Sequence, residues 1–253
     1  MIFSFLPNAI RQARCDFCDH KLPVHSGIPD FAEHVALADP KLNPAQKAMN
    51  SRLFASIYET PIWRPLHTWI GSGLSMKKEV EELLQLSCMG PKNMIADLAC
   101  GTGHYARALA RKAPEAIIYG LDISLGMLVQ GVRMAKRRGL TSILFLRGDI
   151  HLLPFEDESL DLVNCGGALH LFSNLTPIWK EVERVLKPGG VFTAMTLTFA
   201  GGVIGKIQQR MVDRGQATFF DISKLAADLK VVGFSNFNYR KHRISLIFCA
   251  TKI

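Results

Sequence analysis

The chain lacks the cysteine pattern of a disulfide-stabilised protein. It has 253 residues and six cysteines, and four of these are scattered between positions 88 and 249. Three of those four (Cys100, Cys165 and Cys249) lie in apolar, strand-like runs. Scattered, buried thiols are typical of proteins that work in reducing compartments. The sequence therefore predicts a cytoplasmic protein without a disulfide framework.

The sequence also lacks the basic N-terminal region of a secretory signal and a continuous hydrophobic stretch long enough to span a membrane. The first residues, MIFSFLPNAIRQAR, do not begin with the basic region of a secretory signal. The uncharged stretch 188–205 approaches the length of a membrane span, but it is interrupted by three threonines and by the glycines at 189, 190, 201 and 202. A buried strand followed by a loop explains this stretch better. We expect no transmembrane segment, and the sequence has no internal repeat or low-complexity tract.

Charge and size set few limits on function. Hydrophobic residues make up 48% of the chain and charged residues 21%, as in an ordinary globular protein, and the net charge is +8. Such a basic excess is compatible with nucleic acid, an anionic membrane or an acidic substrate, and favours none of them. The length suits one well-buried core with an appendage. We predict an appendage over residues 1–45 and a main domain over residues 46–253.

The most informative stretch runs from Asn93 to Ala110, NMIADLACGTGHYARALA. An apolar run ends near an acid and leads into a glycine-rich turn and a helical pattern. Glycines allow the backbone to turn sharply and to approach a ligand closely. The helix that follows directs unpaired N–H groups at that ligand. The stretch predicts a nucleotide-like ligand at a strand-to-helix turn.

Strand and helix patterns alternate from residue 93 onwards. Five apolar runs, MIADLA, AIIYGLD, SILFLRGD, LDLVNC and VFTAMTL, predict strands with helices between them, and Lys187 to Gly190 reads as a turn. Two β-rich runs at the end predict an antiparallel hairpin. The fold class is therefore α/β: a Rossmann-like, seven-stranded, mainly parallel sheet with an antiparallel last strand and helices on both faces. Its ligand should lie at the carboxyl ends of the strands.

Three of the predicted strands lead to an acid at the same edge of the sheet: Asp97, Asp122 and Asp149. An acid after the second strand can accept hydrogen bonds from both hydroxyls of a ribose. An acid after the third can accept one from an exocyclic amine such as that of adenine. Three such acids beside a Gly-x-Gly turn are hard to explain as surface solvation.

These motifs resemble those of class I S-adenosylmethionine-dependent methyltransferases. The matching pieces are DLACGTG from Asp97, GLDIS ending at Ser124, Gly148-Asp149-Ile150 followed by LPFEDESLDLV, and RVLKPGG ending at Gly190. Their order and spacing are those of the family, over roughly residues 50 to 253. The resemblance implies S-adenosylmethionine as the cofactor.

Residue by residue, the resemblance implies a cofactor site. The turn residues would surround the methionine moiety. Asp122 would hold the ribose hydroxyls and Asp149 the adenine amine, with the isoleucine after each on the adenine ring. Asn164 and Cys165 would lie beside the sulfonium. The predicted cofactor residues are Asp97, Ala99, Gly101, Gly103, Asp122, Ile123, Asp149, Ile150, Asn164 and Cys165.

A nicotinamide enzyme is the rival interpretation of the turn. Gly101 to Ala106 also fits the dinucleotide pattern G-x-G-x-x-A, and Asp122 lies at about the expected distance. A nicotinamide enzyme does not explain three other features: Asp97 before the glycines, the acid at Asp149 and the LKPGG turn. We therefore favour the methyltransferase.

The segment after the fourth strand bears on the acceptor. It reads Asn164-Cys-Gly-Gly-Ala-Leu-His170, not the Asn/Asp-Pro-Pro-Tyr/Phe box of many enzymes that methylate amino groups of nucleobases or glutamine. His170 is a candidate to take a proton from the acceptor, or else a residue that orders the loop. Tyr58 is the second candidate catalytic residue, because in the resembled family the segment around it often folds over the cofactor or forms the acceptor wall. The apolar start of residues 200–220 suggests a lipophilic small molecule, methylated at carbon or oxygen.

Three motifs of this chain resemble those of the methyltransferases of ubiquinone and menaquinone biosynthesis: ALHLF, RVLKPGG and the segment from Gly27 to Phe31, GIPDF. Many relatives carry an N-terminal zinc ribbon there. Here Cys15 and Cys18 are one pair where structural zinc needs four ligands, so we predict a degenerate ribbon and no metal. Two alternatives stay open: a ribosomal or transfer RNA base methyltransferase, and a non-catalytic protein that keeps the cofactor fold. The sequence does not predict the oligomeric state.

Overall fold

The computed structural model describes residues 13–14, 21–32, 71–90 and 93–253. Four short strands come first: β1 (Ala13–Arg14), β2 (Lys21–Leu22), β3 (Val24–His25) and β4 (Ile28–Pro29). They pair as two small antiparallel ribbons, β1 with β2 and β3 with β4. Helix α1 (Met76–Leu86) precedes the large sheet.

Strands and helices then alternate along the chain. The strands of the large sheet are β5 (Met94–Leu98), β6 (Ile117–Asp122), β7 (Ile143–Arg147), β8 (Leu160–Gly166), β9 (Leu186–Leu197), β10 (Phe234–His242) and β11 (Ser245–Lys252). The helices between them are α2 (His104–Lys112), α3 (Leu125–Arg137), α4 (Thr176–Val185), α5 (Gly202–Asp213) and α6 (Ile222–Val231).

The seven strands of this sheet lie in the order β10-β11-β9-β8-β5-β6-β7. Strands β5 to β9 all run parallel to one another, and β11 is antiparallel to both β9 and β10. The predicted α/β fold with an antiparallel last strand is confirmed. The carboxyl ends of the parallel strands meet at one edge, where this class of fold binds its ligands.

Helices cover both faces of the sheet. Neighbouring residues of a strand point to opposite faces, and here they enter different clusters: Ala96 packs in one with α4 and α6, and Ile95 in another with α2 and α3. Local signals set the helix starts. Ser124 Oγ accepts from Met127 N (3.5 Å), and an Asp221 carboxylate oxygen accepts from Lys224 N (2.8 Å), so each residue caps its helix.

The turn predicted over Lys187 to Gly190 is wrong, because strand β9 already begins at Leu186. Leu160 pairs with Leu186 and Leu162 with Val191, so the pairing shifts register instead of stopping. Gly189 absorbs the irregularity with φ +76°. A glycine-rich segment can thus be a bulge in a long strand as well as a turn between elements.

The N-terminal residues 28–31 join the edge of the large sheet. Ile28 is fully buried in the cluster that contains α2 and α3. Asp30 bridges to Arg147 at the end of β7, and Phe31 N donates to the carbonyl oxygen of Arg147 (2.8 Å). This part of the chain therefore packs on the domain. None of the helices in the described ranges is long and apolar enough to cross a membrane.

Candidate functional site

The turn after β5 leaves room on one side and is tightly packed on the other. Ala99, Gly101 and Gly103 have positive φ values of 48°, 57° and 76°. A Cβ on Gly101 would meet nothing within 4 Å, whereas one on Gly103 would lie 2.8 Å from Cε1 of Phe145. Gly101 therefore borders open space at the carboxyl edge of the sheet, and Gly103 lets the turn pack on β7.

Asp97 supports this turn from below. Its side chain is buried, and its carboxylate accepts from Ala106 N (2.8 Å) and from Asn164 Nδ2 (2.6 Å). Asn164 Oδ1 in turn accepts from Thr193 Oγ1 (3.1 Å). The network joins β5, β8, β9 and the first turn of α2, and it fixes the glycine turn above the sheet.

Asp122, at the end of β6, faces the same turn. One carboxylate oxygen accepts from Gly101 N (2.7 Å) and the other from Ser124 N (2.8 Å). Burial raises the pKa of Asp122 above its ordinary value, although these backbone donors oppose the rise. A carboxylate offers about four acceptor positions, so Asp122 keeps acceptor capacity for a hydroxyl donor. Ile123, the next residue, is half-buried.

Asp149 has a histidine partner that the sequence did not reveal. Its Oδ1 accepts from His151 N (2.9 Å) and lies 2.7 Å from His151 Nδ1. The His151 ring packs edge-on against Phe172, with centroids 5.6 Å apart. Ile150 is buried beside them. A histidine two residues after a strand-end acid was the available signal, and the pair links the third acid to the loop after β8.

The two cysteines near the turn are poor nucleophiles. Burial, together with the neighbouring Asp97 and Asp122, raises the pKa of both Cys100 and Cys165 well above the usual thiol value. Both thiols are therefore neutral at physiological pH, and only a thiolate attacks efficiently. Cys165 is fully buried next to Asn164, so its side chain serves as apolar packing.

His170 lies in a short 3-10 helix, Leu169–Leu171, after β8. It is half-buried, and its carbonyl oxygen accepts from Thr218 N (2.7 Å). Thr218 Oγ1 also donates to the carbonyl oxygen of Phe172 (2.8 Å). The segment after α5 therefore holds the loop that carries His170. Tyr58, the other candidate on the acceptor side, lies outside the described residues.

Metal ligation has no support within the described ranges, where no group of three or more histidine, cysteine or acidic side chains could hold an ion. Cys15 and Cys18 lie outside these ranges. The arrangement suits a nucleoside instead. Strands β5, β6 and β7 are adjacent and place Asp97, Asp122 and Asp149 along one edge, and open space adjoins Gly101. The residues present therefore fit an adenosyl ligand.

Comparison with known proteins finds similarity to methyltransferases. Residues 96–194 match the family model described as "Methyltransferase domain". An uncharacterised chloroplastic methyltransferase of Arabidopsis thaliana is 26% identical over 261 residues, which cover 95% of this chain and 71% of that protein. A demethylmenaquinone methyltransferase of Geobacillus kaustophilus is 42% identical over 96 residues. That match covers 38% of this chain and 41% of the relative, so the similarity spans about two fifths of that enzyme.

A solved structure shares the fold. The geranyl diphosphate C-methyltransferase of Streptomyces coelicolor, crystallised with Mg²⁺, geranyl-S-thiolodiphosphate and S-adenosyl-L-homocysteine, superposes with a TM-score of 0.61 at 13% identity. The superposition covers 70% of this chain and 76% of that one. Together these matches show that residues 96–194 form a methyltransferase domain, on a fold shared with an enzyme crystallised with S-adenosyl-L-homocysteine.

Proposed function

We propose that the protein transfers a methyl group from S-adenosylmethionine to a carbon or oxygen atom of a small, lipophilic acceptor. The observation that carries the proposal is the carboxyl edge of the sheet, where Asp122 adjoins the open side of Gly101 and Asp149 lies one strand further along. This edge has acceptors for the ribose hydroxyls and for the adenine amine, spaced along neighbouring strands.

The bound cofactor supplies an electrophilic methyl group on a sulfonium ion. The chain has to align donor and acceptor for in-line displacement and to exclude water. In our proposal Asp122 accepts hydrogen bonds from the ribose hydroxyls, and Asp149 accepts one from the adenine amine. The backbone around Gly101 lies next to the methionine part of the cofactor. The neutral, buried Cys165 provides an apolar wall that does not compete as a nucleophile.

Two features favour a lipophilic acceptor methylated at carbon or oxygen. The segment from Asn164 to His170 lacks the Pro-Pro box of many amino-group methyltransferases. The names of two similar proteins, a demethylmenaquinone methyltransferase and a geranyl diphosphate C-methyltransferase, also indicate acceptors with long hydrocarbon parts. His170 is our candidate for the group that takes a proton from the acceptor, and Tyr58 for its wall.

We further propose that residues 1–45 are an appendage of the domain formed by residues 46–253, and that the protein works in the cytoplasm. Ile28 and Asp30 pack the described part of the appendage onto β7. The four cysteines in the described ranges are free thiols, as a reducing compartment favours.

Calorimetric titration tests the cofactor part of the proposal. S-adenosylmethionine and S-adenosylhomocysteine should bind, and NAD should not. Asp122→Ala should weaken the binding by about 1.5–3 kcal/mol, because hydrogen bonds to a charged acceptor are lost. Asp213→Ala, at the exposed end of α5, is the matched control. Unchanged affinity in Asp122→Ala would refute the assignment of the ribose site.

The acceptor part needs a separate assay. Radiolabelled methyl transfer is measured from S-adenosylmethionine to prenylated quinols and phenols, and in parallel to ribosomal and transfer RNA. We expect label in the organic extract. Label in RNA alone would contradict the proposed acceptor, while cofactor binding without transfer to any of these molecules would favour a non-catalytic role.

A further inference from the structure

Helix α5 (Gly202–Asp213) presents its apolar side chains to solvent. Val203, Ile204 and Ile207 are 74%, 59% and 51% exposed, and we call these three residues the α5 stripe. The helix buries one residue, the polar Gln208. A surface helix in a globular protein normally does the reverse and turns its apolar side towards the core. Clustered exposed aliphatic side chains of this kind mark a contact surface.

A polar anchor holds α5 in place. Gln208 Oε1 accepts from Ala200 N (2.6 Å), and Gln208 Nε2 donates to the carbonyl oxygen of Thr198 (3.1 Å). These bonds fix the helix to the end of β9, so its outward orientation does not depend on apolar packing beneath it. The three side chains of the α5 stripe are therefore exposed on a helix that is held in place.

The segment that follows α5 contacts the loop that carries His170. Thr198, before α5, forms a β-bridge with Phe220, after it, so the two ends of the segment that contains α5 lie together. Within that segment, Thr218 N donates to the carbonyl oxygen of His170. Phe199, 37% exposed, adjoins the start of the helix. The α5 stripe thus flanks the carboxyl edge of the sheet on the side where the acceptor would enter.

Cations accompany the stripe. Lys206, Arg210 and Arg214 are exposed, against one carboxylate, Asp213, in the same helix and its end. At 100° per residue, Val203, Ile204 and Ile207 form one stripe, and Lys206 and Arg210 lie on the flank next to it. Aliphatic residues bordered by cations are the pattern of helices that lie in a membrane interface.

We propose that the α5 stripe docks on the surface of a bilayer that contains anionic phospholipid. The three aliphatic side chains enter the acyl boundary, and Lys206, Arg210 and Arg214 lie among the headgroups. A second copy of the chain fits less well, because a two-fold contact through this stripe would bring its cations towards their own copies. Nucleic acid would use the cations but would gain nothing from three exposed aliphatic side chains.

The docking is independent of the acceptor's identity. If the proposed function is also correct, docking would turn the edge that carries His170 towards the bilayer, and a lipophilic acceptor could pass from the membrane to the site without crossing water.

Vesicle co-sedimentation of the full chain tests the proposal. The vesicles contain equal parts phosphatidylcholine and phosphatidylglycerol, or phosphatidylcholine alone. The wild type should bind the anionic vesicles, and binding should weaken as salt rises. A triple variant, Val203→Ser, Ile204→Ser and Ile207→Ser, should lose roughly tenfold or more in partitioning. Val231→Ser, at an 87% exposed position on α6, is the control and should bind like the wild type.

A charge variant, Lys206→Gln with Arg210→Gln, should lose the preference for anionic vesicles. Calorimetry with S-adenosylhomocysteine checks that each variant is folded. A wild type that leaves both kinds of vesicle in the supernatant overturns the proposal, and so does a triple variant that binds as the wild type does. A dimer or an RNA complex that the triple substitution disrupts, without vesicle binding, assigns the stripe to that partner instead. Vesicle binding without methyl transfer supports docking and counts against the proposed function alone.

Discussion

The two glycines of the turn after β5 have different tasks, and alanine should separate them. Both have positive φ, so alanine strains either position by roughly 1–2 kcal/mol. At Gly101 the added methyl group enters open space, so we expect that moderate loss of stability and a marked loss of cofactor affinity. At Gly103 it meets Phe145, so we expect a larger loss of stability. Urea unfolding and calorimetry of both variants measure this. A Gly101→Ala protein that binds the cofactor normally would place the ligand elsewhere.

Asp122 should make stability depend on pH. Its pKa is raised in the folded protein, so above the unfolded value of about 3.9 the folded state holds the proton more tightly than the unfolded chain. The wild type therefore loses this contribution as pH rises from there through the folded pKa. Asp122→Asn does not titrate. We expect the unfolding free energy of the variant minus that of the wild type to increase between about pH 4 and pH 7. A flat or falling difference in urea unfolding would contradict the burial argument.

At the scale of elements, periodicity predicted the strands and helices of the core, because β5 to β9 are buried apolar runs and residues such as Ser124 cap the helices. It did not predict helix α5, since the valine and isoleucines at its start continue the uncharged run of strand β9 and are exposed instead of buried. Nor did it predict the pairing of Asp30 with Arg147, which are 117 positions apart. Contacts of that separation leave no local signal.

The edge contact at Asp30 should support both the fold and the cofactor site. The Asp30 side chain is 1% exposed and accepts from Arg147 Nη1 (2.6 Å), while Arg147 Nε donates to the carbonyl oxygen of Ile123 (3.0 Å). Asp30→Ala should cost about 1.5–3 kcal/mol of stability and weaken cofactor binding as well. Asp157→Ala is the control. The Asp157 side chain pairs with Arg184 but is 74% exposed, so its removal should change the stability little. Equal effects of the two substitutions would mean that Asp30 contributes no more than a surface ion pair.

At the scale of the whole molecule, the sequence predicted which residues lie at one edge of the sheet but not how they are held. Glycine turns and strand-end acids are local patterns, so Asp97, Asp122 and Asp149 could be found without a structure. The hydrogen bond from Asn164 to Asp97 spans 67 positions, and the ring contact of His151 with Phe172 depends on how two loops pack. Both needed the fold before they could be seen.

Cofactor binding should stabilise the molecule as a whole, because a ligand that binds the folded state alone shifts the unfolding equilibrium. At about one hundred times its dissociation constant, S-adenosylhomocysteine should add about 2.7 kcal/mol. For a chain of this length that corresponds to a rise in Tm of roughly 5 to 10 °C. Thermal unfolding by circular dichroism measures it. Asp122→Ala at the same ligand concentration should show a smaller rise, and NAD should show none. A rise with NAD that matches the rise with S-adenosylhomocysteine would mean that the site recognises only the adenosine that both ligands share, and that the homocysteine part makes no favourable contact on the open side of Gly101.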